Sequence, residues 1–342
     1  MRSSRSFSLL ALAASAALLA GCAANPGTDS AADGAFTLYS GRDEELVQPL
    51  IDLFEEQSGI TVDLRYGNTA ELGALLLEEG DATPAQVFLS QDAGALGALS
   101  QAGLFATLPA DIAGTVPAGF TSTDDTWVGI TGRARVVVYD GDELTADELP
   151  NTVAEYVEPE WAGRLGLPPG NASFQSFVTA LRVIEGEAAA EEWVAALASN
   201  DLQIYENNTA TLTAVNEGTL DVGLINHYYW FRQAAEVGAE NMRAQLKFLD
   251  AGDAGSIVNV TGAGLLRSAV DDADALEFVR FLVSEEAQNY FVEQTFEYPL
   301  LPGIDAPEGL PALDSLVNPE LDLSDLDDLS TTQELLAEYG LI

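Results

Sequence analysis

The sequence has very few side chains suited to nucleophilic chemistry. Cys22 is the only cysteine and His227 the only histidine among 342 residues. A single cysteine excludes disulfides, and it excludes thiolate metal sites and a cysteine nucleophile elsewhere in the chain. The Gly-x-Ser-x-Gly and His-Glu-x-x-His motifs of common hydrolases are also missing from the sequence. We therefore predict that the protein is not an enzyme.

Basic residues are scarce as well. The sequence has 13 lysines and arginines against 55 aspartates and glutamates, a formal net charge of -42, and Lys247 is its only lysine. This charge repels nucleic acid and anionic membrane surfaces, so neither is an expected partner. Attraction of a cationic solute is one explanation of the acidity. The even spread of charge favours the other, adaptation to a saline medium that screens self-repulsion.

The N-terminus has the order of parts found in a bacterial export signal. Arg2 and Arg5 precede an apolar run over 7–19, which is too short for a permanent membrane span. Leu-Ala-Gly-Cys at 19–22 resembles the lipobox of bacterial lipoproteins, in which the cysteine is acylated after cleavage. We predict a signal peptide at 1–21 and a lipidated Cys22 with a flexible tether at 22–35. A plain secretory signal is the alternative.

The remaining chain alternates strand and helix patterns, which predicts α/β lobes with a parallel sheet covered on both faces. About 300 residues are enough for two lobes of ordinary domain size. The predicted strands are 36–39, 60–66, 86–89, 136–139, 164–167, 203–205, 221–225 and 257–261. The predicted helices are 45–57, 69–79, 93–102, 174–184, 188–198, 209–216 and 273–293.

Three of the predicted strand-to-helix junctions are polar, at 39–42, 170–173 and 226–229. Helix N-termini at such junctions offer free N–H groups and a positive dipole, and open α/β sheets bind their ligands there. The sequence therefore predicts a binding cleft that these three junctions line.

Tyr228 and Tyr229 stand at one of these junctions. Neighbours within a strand point to opposite faces, so we expect both phenols to meet only in the turn that leaves the strand. Two phenolate oxygens suit a hard cation such as Fe(III). Aromatic packing between lobes is the alternative interpretation.

Five motifs, in order, give the chain a resemblance to the periplasmic ferric-iron-binding proteins of ABC transporters. They are Tyr39-Ser-Gly-Arg42, Thr131-Gly-Arg-Ala-Arg-Val-Val-Val-Tyr139, Gly186-Glu-Ala-Ala-Ala190, Asp221-Val-Gly-Leu-Ile-Asn226-His-Tyr-Tyr-Trp230 and Glu297-Tyr-Pro-Leu300.

The resemblance covers roughly 36–342 and implies the type II periplasmic-binding-protein fold. That fold is α/β, with two lobes that each contain a mixed sheet flanked by helices, joined by crossing hinge strands. We place one lobe at 36–133 and 260–300 and the other at 134–259 and 301–342. The resemblance also implies a monomer that delivers Fe(III), with carbonate or phosphate as a synergistic anion, to an ABC permease and its ATPase.

The resemblance carries over to particular residues. It implies that Tyr228 and Tyr229 ligate Fe(III) and that Asn226 helps to hold the anion. The anion loop of the family matches Asn171, Ala172 and Ser173, and a following asparagine matches Asn208.

The sequence departs from the family pattern at two ligand positions. Asp43 stands where many members have histidine, and Gln91 followed by Asp92 stands where they have glutamate. Asp43, Asp92 and Tyr66 are candidate replacement oxygen ligands, and Arg42 is a candidate clamp for carbonate. For the carboxylates, a solvated loop position is the alternative. We expect His227 to point away from the cleft.

Other functions remain open at this point. The chief rival is a cleft that binds an inorganic or organic anion without metal, with the tyrosines stacked on the solute. A surface adhesin or structural lipoprotein, without a closing cleft, is a third possibility. A glycosidase would need two carboxylates, and nothing in the sequence distinguishes such a pair.

Overall fold

The computed structural model describes residues 34–316 and 321–342. The predicted signal peptide, the lipidation site at Cys22 and nearly all of the predicted tether lie outside the described residues. Within them, no helix has both the length and the apolar character needed to cross a bilayer.

The described residues form a mixed α/β fold. The strands are β1 (Ala35–Ser40), β2 (Thr61–Tyr66), β3 (Val87–Ser90), β4 (Val128–Asp140), β5 (Leu165–Leu167), β6 (Gln203–Ile204), β7 (Val222–Asn226), β8 (Ala244–Lys247), β9 (Val258–Leu265) and β10 (Tyr298–Pro299). The α-helices are α1 (Glu44–Ser58), α2 (Thr69–Glu79), α3 (Ala93–Gln101), α4 (Ala110–Ala113), α5 (Ala172–Glu185), α6 (Glu187–Ser199), α7 (Asn208–Asn216), α8 (His227–Val237), α9 (Ala273–Leu282), α10 (Glu285–Tyr290) and α11 (Leu329–Glu338).

The sheet consists of two parallel parts that two long strands connect. Its order is β2-β1-β3-β9-β4-β7-β5-β6, with β8 and β10 also paired to β4. The outer strands pair in parallel, as the alternating pattern predicted. At the centre, β4 and β9 run antiparallel to their neighbours, so the sheet is mixed, as the family resemblance implied and the alternating pattern alone did not.

Strand β4 changes partners along its length. From Val128 to Ala134 it pairs with β9, and from Arg135 onwards it pairs with β7. All thirteen of its residues are buried. The β-branched run at 136–138 fits such a strand, because its side chains pack well on a pleated surface. This exchange of partners makes β4 the physical link between the two parallel parts of the sheet.

The predicted long helix at 273–293 is interrupted. Helix α9 ends at Leu282, and the side chain of Ser284 then accepts a hydrogen bond from the N–H of Ala287 to cap α10. A π-helical turn over Phe291–Thr295 follows. The apolar spacing is continuous across the break, so the periodicity alone did not reveal it.

The C-terminal segment contacts both parallel parts. The short 3₁₀ helix Leu323–Asp327 packs on α3, with a hydrogen bond from Gln101 to Asp327. Helix α11 packs on α5, where Thr332 pairs with Thr179.

Candidate functional site

Three helices begin close to one another beside the connecting strands. Helix α5 starts at Ala172, α7 at Asn208 and α8 at His227, directly after β7. Asn171 and Asn207 cap the first two, each accepting a hydrogen bond from an N–H of the first turn. Helix N-termini carry a partial positive charge, so their convergence favours an anionic ligand.

Tyr228 and Tyr229 lie in the first turn of α8, not in a turn before it as the sequence analysis expected. Their rings are stacked, with centroids 4.2 Å apart and an interplanar angle of 28°. Burial raises the pKa of both phenols, for Tyr228 well above its ordinary value of 10.0. Helical geometry therefore brings the two rings together, and a bound cation would be needed to keep their oxygens deprotonated.

Tyr229 lines a cleft of about 760 Å³. The cleft wall is polar and acidic, and most of the side chains that line it carry a carboxylate, amide or hydroxyl group. The lining residues are Asp43, Glu45, Gln91, Asn171, Tyr205, Asn207, Thr209, Ala210, Thr213, Ala214, Glu217, Thr219 and Tyr229.

The predicted anion loop forms one hydrogen-bonded group with Asn208. The Asn171 Oδ1 accepts from both the N–H and the hydroxyl of Ser173, at 3.0 and 2.7 Å. The Asn208 Nδ2 donates to Asn171 and to the Ser173 hydroxyl. Asn208 Oδ1 is buried without a hydrogen-bond partner among the described residues. Asn226, 4% exposed, is the last residue of β7 and precedes α8. The structure thus brings the predicted anion residues to the three helix N-termini.

Two buried arginines without a predicted role lie on β4, and one of them, Arg135, contacts this group. Arg133 and Arg135 are both 1% exposed on β4. Arg135 donates to the Leu224 carbonyl at 3.1 Å and to the Ser173 hydroxyl at 3.4 Å. Burial lowers the pKa of Arg135 to about 9. Alternate residues of a strand share a face, so two arginines spaced by two in an apolar strand were a signal for a buried polar site.

Arg42 lies behind the tyrosine pair, with its guanidinium 5.8 Å from the centre of the Tyr228 ring. Its Nη2 forms an ion pair with Glu297 at 3.0 Å, and its Nη1 donates to Thr261 at 2.8 Å. Burial opposes its charge, yet Glu297 and other nearby groups raise the pKa of Arg42 above its ordinary value. The guanidinium of Arg42 therefore contacts protein groups and is not free to clamp an anion.

The candidate replacement ligands lie in different places. Asp43 is exposed and lines the cleft with Tyr229. Asp92 is buried as the N-cap of α3, where it accepts from the Ala95 N–H, and burial raises its pKa. The Tyr66 hydroxyl donates to Gln48 at 2.8 Å, and burial raises the pKa of Tyr66 to about 12. Neither Asp92 nor Tyr66 is among the residues that line this cleft.

His227 is fully buried behind the tyrosines and points away from the cleft. Its Nδ1 accepts from the N–H of Ala134, and its Nε2 donates to the Phe296 carbonyl at 2.9 Å. Burial lowers its pKa to about 4, so the ring is neutral at neutral pH. Its two hydrogen bonds connect the start of α8 to Ala134, where β4 changes partners, and to Phe296, which precedes β10.

The described residues contain no cluster of three or more histidine, cysteine, aspartate or glutamate side chains suited to a metal ion. The oxygen donors that this cleft offers to a cation are therefore phenols such as Tyr229 and single carboxylates such as Asp43. Such a donor set is hard and suits a hard cation.

This fold and its cleft place the chain in a defined class. The chain belongs to the family of bacterial extracellular solute-binding proteins, whose family model matches residues 82–318.

Individual relatives and solved structures have more specific descriptions than the family model. The major ferric iron-binding protein of Neisseria meningitidis serogroup B is 34% identical over 343 residues, which cover 100% of each chain. The structure of iron-bound HitA from Pseudomonas aeruginosa has a TM-score of 0.85 and 32% identity, covering 90% of this chain and 99% of that one. A Trichodesmium protein in complex with iron and citrate ligands has a TM-score of 0.76 and 29% identity, covering 90% of this chain and 100% of that one. The predicted resemblance and the predicted two-lobed type II fold are confirmed.

Proposed function

We propose that the protein captures Fe(III) outside the cytoplasm, as the solute-binding component of an ABC importer, and delivers it to the permease and its ATPase. The observation that carries this proposal is the pair of stacked, buried tyrosines at the N-terminus of α8, of which Tyr229 opens into the cleft. Similarity to the ferric-binding protein of Neisseria and to iron-bound HitA supports it. Binding, rather than catalysis, is the proposed activity.

The proposed metal ligands are Tyr228, Tyr229 and Asp43. The two phenols supply oxygens of high charge density. Of the carboxylates that line the cleft with Tyr229, Asp43 is the one at a position where the family resemblance places a ligand. Asp92 and Tyr66 stay outside the proposed set, because one caps α3 and the other donates to Gln48. Because both tyrosines must lose a proton, binding weakens as the pH falls.

The proposed anion site is formed by the α5 N-terminus with Asn208, Asn226 and Arg135. An anion held there would accept hydrogen bonds from free N–H groups and from a guanidinium that already touches Ser173. Asn171, Ala172 and Ser173 form its loop. Carbonate and phosphate are the candidate anions, and the Trichodesmium structure contains citrate as a ligand together with iron. The anion would complete a metal coordination shell that the protein ligands leave unfilled.

Capture is proposed to occur by hinge bending between two lobes. The division at 36–133 with 260–300 and 134–259 with 301–342 follows the place where β4 exchanges β9 for β7. The C-terminal segment adds a contact to each side of this division, through α3 and α5. We further propose that the protein is a monomer anchored to a membrane only by the lipid on Cys22.

The test is a titration of the purified mature protein with a ferric salt, with and without carbonate or phosphate, recorded as visible spectra. Wild-type protein is expected to turn red or orange from phenolate-to-iron charge transfer. Tyr228→Phe and Tyr229→Phe are each expected to lose the coloured band and to bind iron at least about a hundredfold more weakly, since each loses a charged ligand.

Tyr156→Phe is the matched control, because Tyr156 is fully buried but donates to the Pro150 carbonyl away from the cleft. It should keep the band. An unchanged band in both Tyr228→Phe and Tyr229→Phe would falsify the ligand assignment. A colourless wild type that binds phosphate would instead identify an anion carrier without metal.

A further inference from the structure

Glu297 is the one described carboxylate that forms an ion pair with the buried arginines behind the tyrosine pair. It is completely buried and pairs with Arg42 at 3.0 Å and with Arg133 at 3.9 Å. The hydroxyl of Thr295 donates to its second oxygen at 3.0 Å. It follows Phe296, which has a left-handed φ of 59° that non-glycine residues rarely adopt. The backbone therefore adopts an unfavourable conformation at the residue before this carboxylate.

Arg135 is engaged differently from Arg42 and Arg133. Among the described residues it forms no ion pair with a carboxylate, whereas a buried Nε without a hydrogen-bond partner is common to all three arginines. Its other nitrogens donate to the Leu224 carbonyl and to Ser173 of the anion loop. Asp92, the other buried acid near Arg133, caps α3 and likewise forms no ion pair. Of the three guanidinium groups, those of Arg42 and Arg133 thus share one carboxylate, and Arg135, which does not pair with it, contacts the anion loop.

Buried charges interact strongly, because little water screens them. An anion that enters the cleft and the Glu297 carboxylate therefore compete for the same positive field. We propose that Glu297 is an internal counter-ion. It neutralises Arg42 and Arg133 and leaves Arg135 to bind the incoming anion, and Glu297 thereby limits the affinity of the site for anions. This proposal rests on the proposed function only for the position of the anion. Glu297 acts through the arginines and is a positioning residue.

The test is calorimetric titration of the iron-free mature protein with inorganic phosphate. Glu297→Gln is expected to bind phosphate at least about tenfold more tightly than wild type, because two buried guanidinium groups lose their counter-charge. Glu297→Asp keeps the charge but withdraws it by one methylene from Arg42, so a smaller gain of a few-fold is expected. Glu293→Gln, an exposed acid four residues earlier, is the control and should match wild type. A merely structural role predicts weaker binding, not tighter.

If Glu297→Gln does not fold, Glu297→Asp decides, and phosphate affinity equal to or weaker than that of wild type overturns the proposal. The same result in a folded Glu297→Gln also overturns it. Iron titrations of the same samples separate the two ideas. Tighter phosphate binding without any coloured band supports the role of Glu297 and refutes iron capture. A coloured wild type with no gain of phosphate affinity in either variant supports iron capture and refutes the role of Glu297.

Discussion

The interior behind the tyrosine pair and the outer surface use charge in opposite ways. Inside, Arg42 and Arg133 pair with one fully buried carboxylate, Glu297, and the buried Arg135 forms no ion pair among the described residues. Outside, acids dominate, and exposed arginines such as Arg267 and Arg280 pair with nearby aspartates. Salt screens the outer charges but hardly reaches the inner ones. The difference teaches that the large net charge of the sequence says little about the buried cluster behind the tyrosine pair, whose local charge has the opposite sign.

The largest expected effect on anion binding comes from removing the inner arginine that touches the anion loop. Arg135→Gln is expected to weaken phosphate binding about ten- to a hundredfold, because a hydrogen bond to a charged group contributes about 1.5–3 kcal/mol. Calorimetric titration with inorganic phosphate measures this change.

Arg164→Gln is the matched surface variant, because Arg164 pairs with Asp221 and both side chains are more than a third exposed. Its phosphate affinity should stay within about twofold of wild type, since exposed ion pairs contribute little. Equal losses in the two variants would mean that phosphate responds to overall charge and not to a built site.

An effect of similar size, on stability instead of binding, is expected from the neutral histidine of the interior. Burial depresses the pKa of His227 to about 4 in the folded protein, against an ordinary value of 6.5. The unfolded chain therefore takes up a proton first as the pH falls. The stabilisation is complete above the ordinary pKa and is lost as the pH falls toward 4, with a total near 3 kcal/mol.

His227→Gln keeps a donor and an acceptor for Ala134 and Phe296 but does not titrate. Between pH 7 and pH 4, the free energy of unfolding of wild type should fall by about 3 kcal/mol more than that of the variant. Urea unfolding at several pH values measures both. Parallel curves would show that the ring is not held neutral.

Much of this architecture could be predicted because it is local. The pattern at 69–79 gave the bounds of α2, and Asn68 caps that helix with a bond to the Ala70 N–H. The adjacency of Tyr228 and Tyr229 directly after a strand pointed to the cleft. Neighbouring residues belong to the same strand, helix or turn, so the spacing of residue types predicts how they lie relative to one another.

The inner charge cluster depends on distant pairing and was missed for that reason. Glu297 meets Arg42 and Arg133 only because β10 pairs with the middle of β4. The sequence separation of Arg42 and Glu297 gives no hint of this contact. The motif residues were recognised, but their ion pairs follow from sheet register, which no local pattern specifies.

The smallest expected effect tests the outer surface. Arg280→Gln removes an exposed pair with Asp111 and Glu277, and such pairs stabilise a protein by at most about 1 kcal/mol. The free energy of unfolding should therefore differ from wild type by less than this amount in low salt, and by a still smaller amount in 1 M salt. Urea unfolding at both ionic strengths measures the difference. Because salt also weakens repulsion among the many surface acids, wild type and variant should both gain stability as salt is added. A loss of stability in salt would mean that attraction, not repulsion, dominates this surface, and the contrast with the interior would then have to be abandoned.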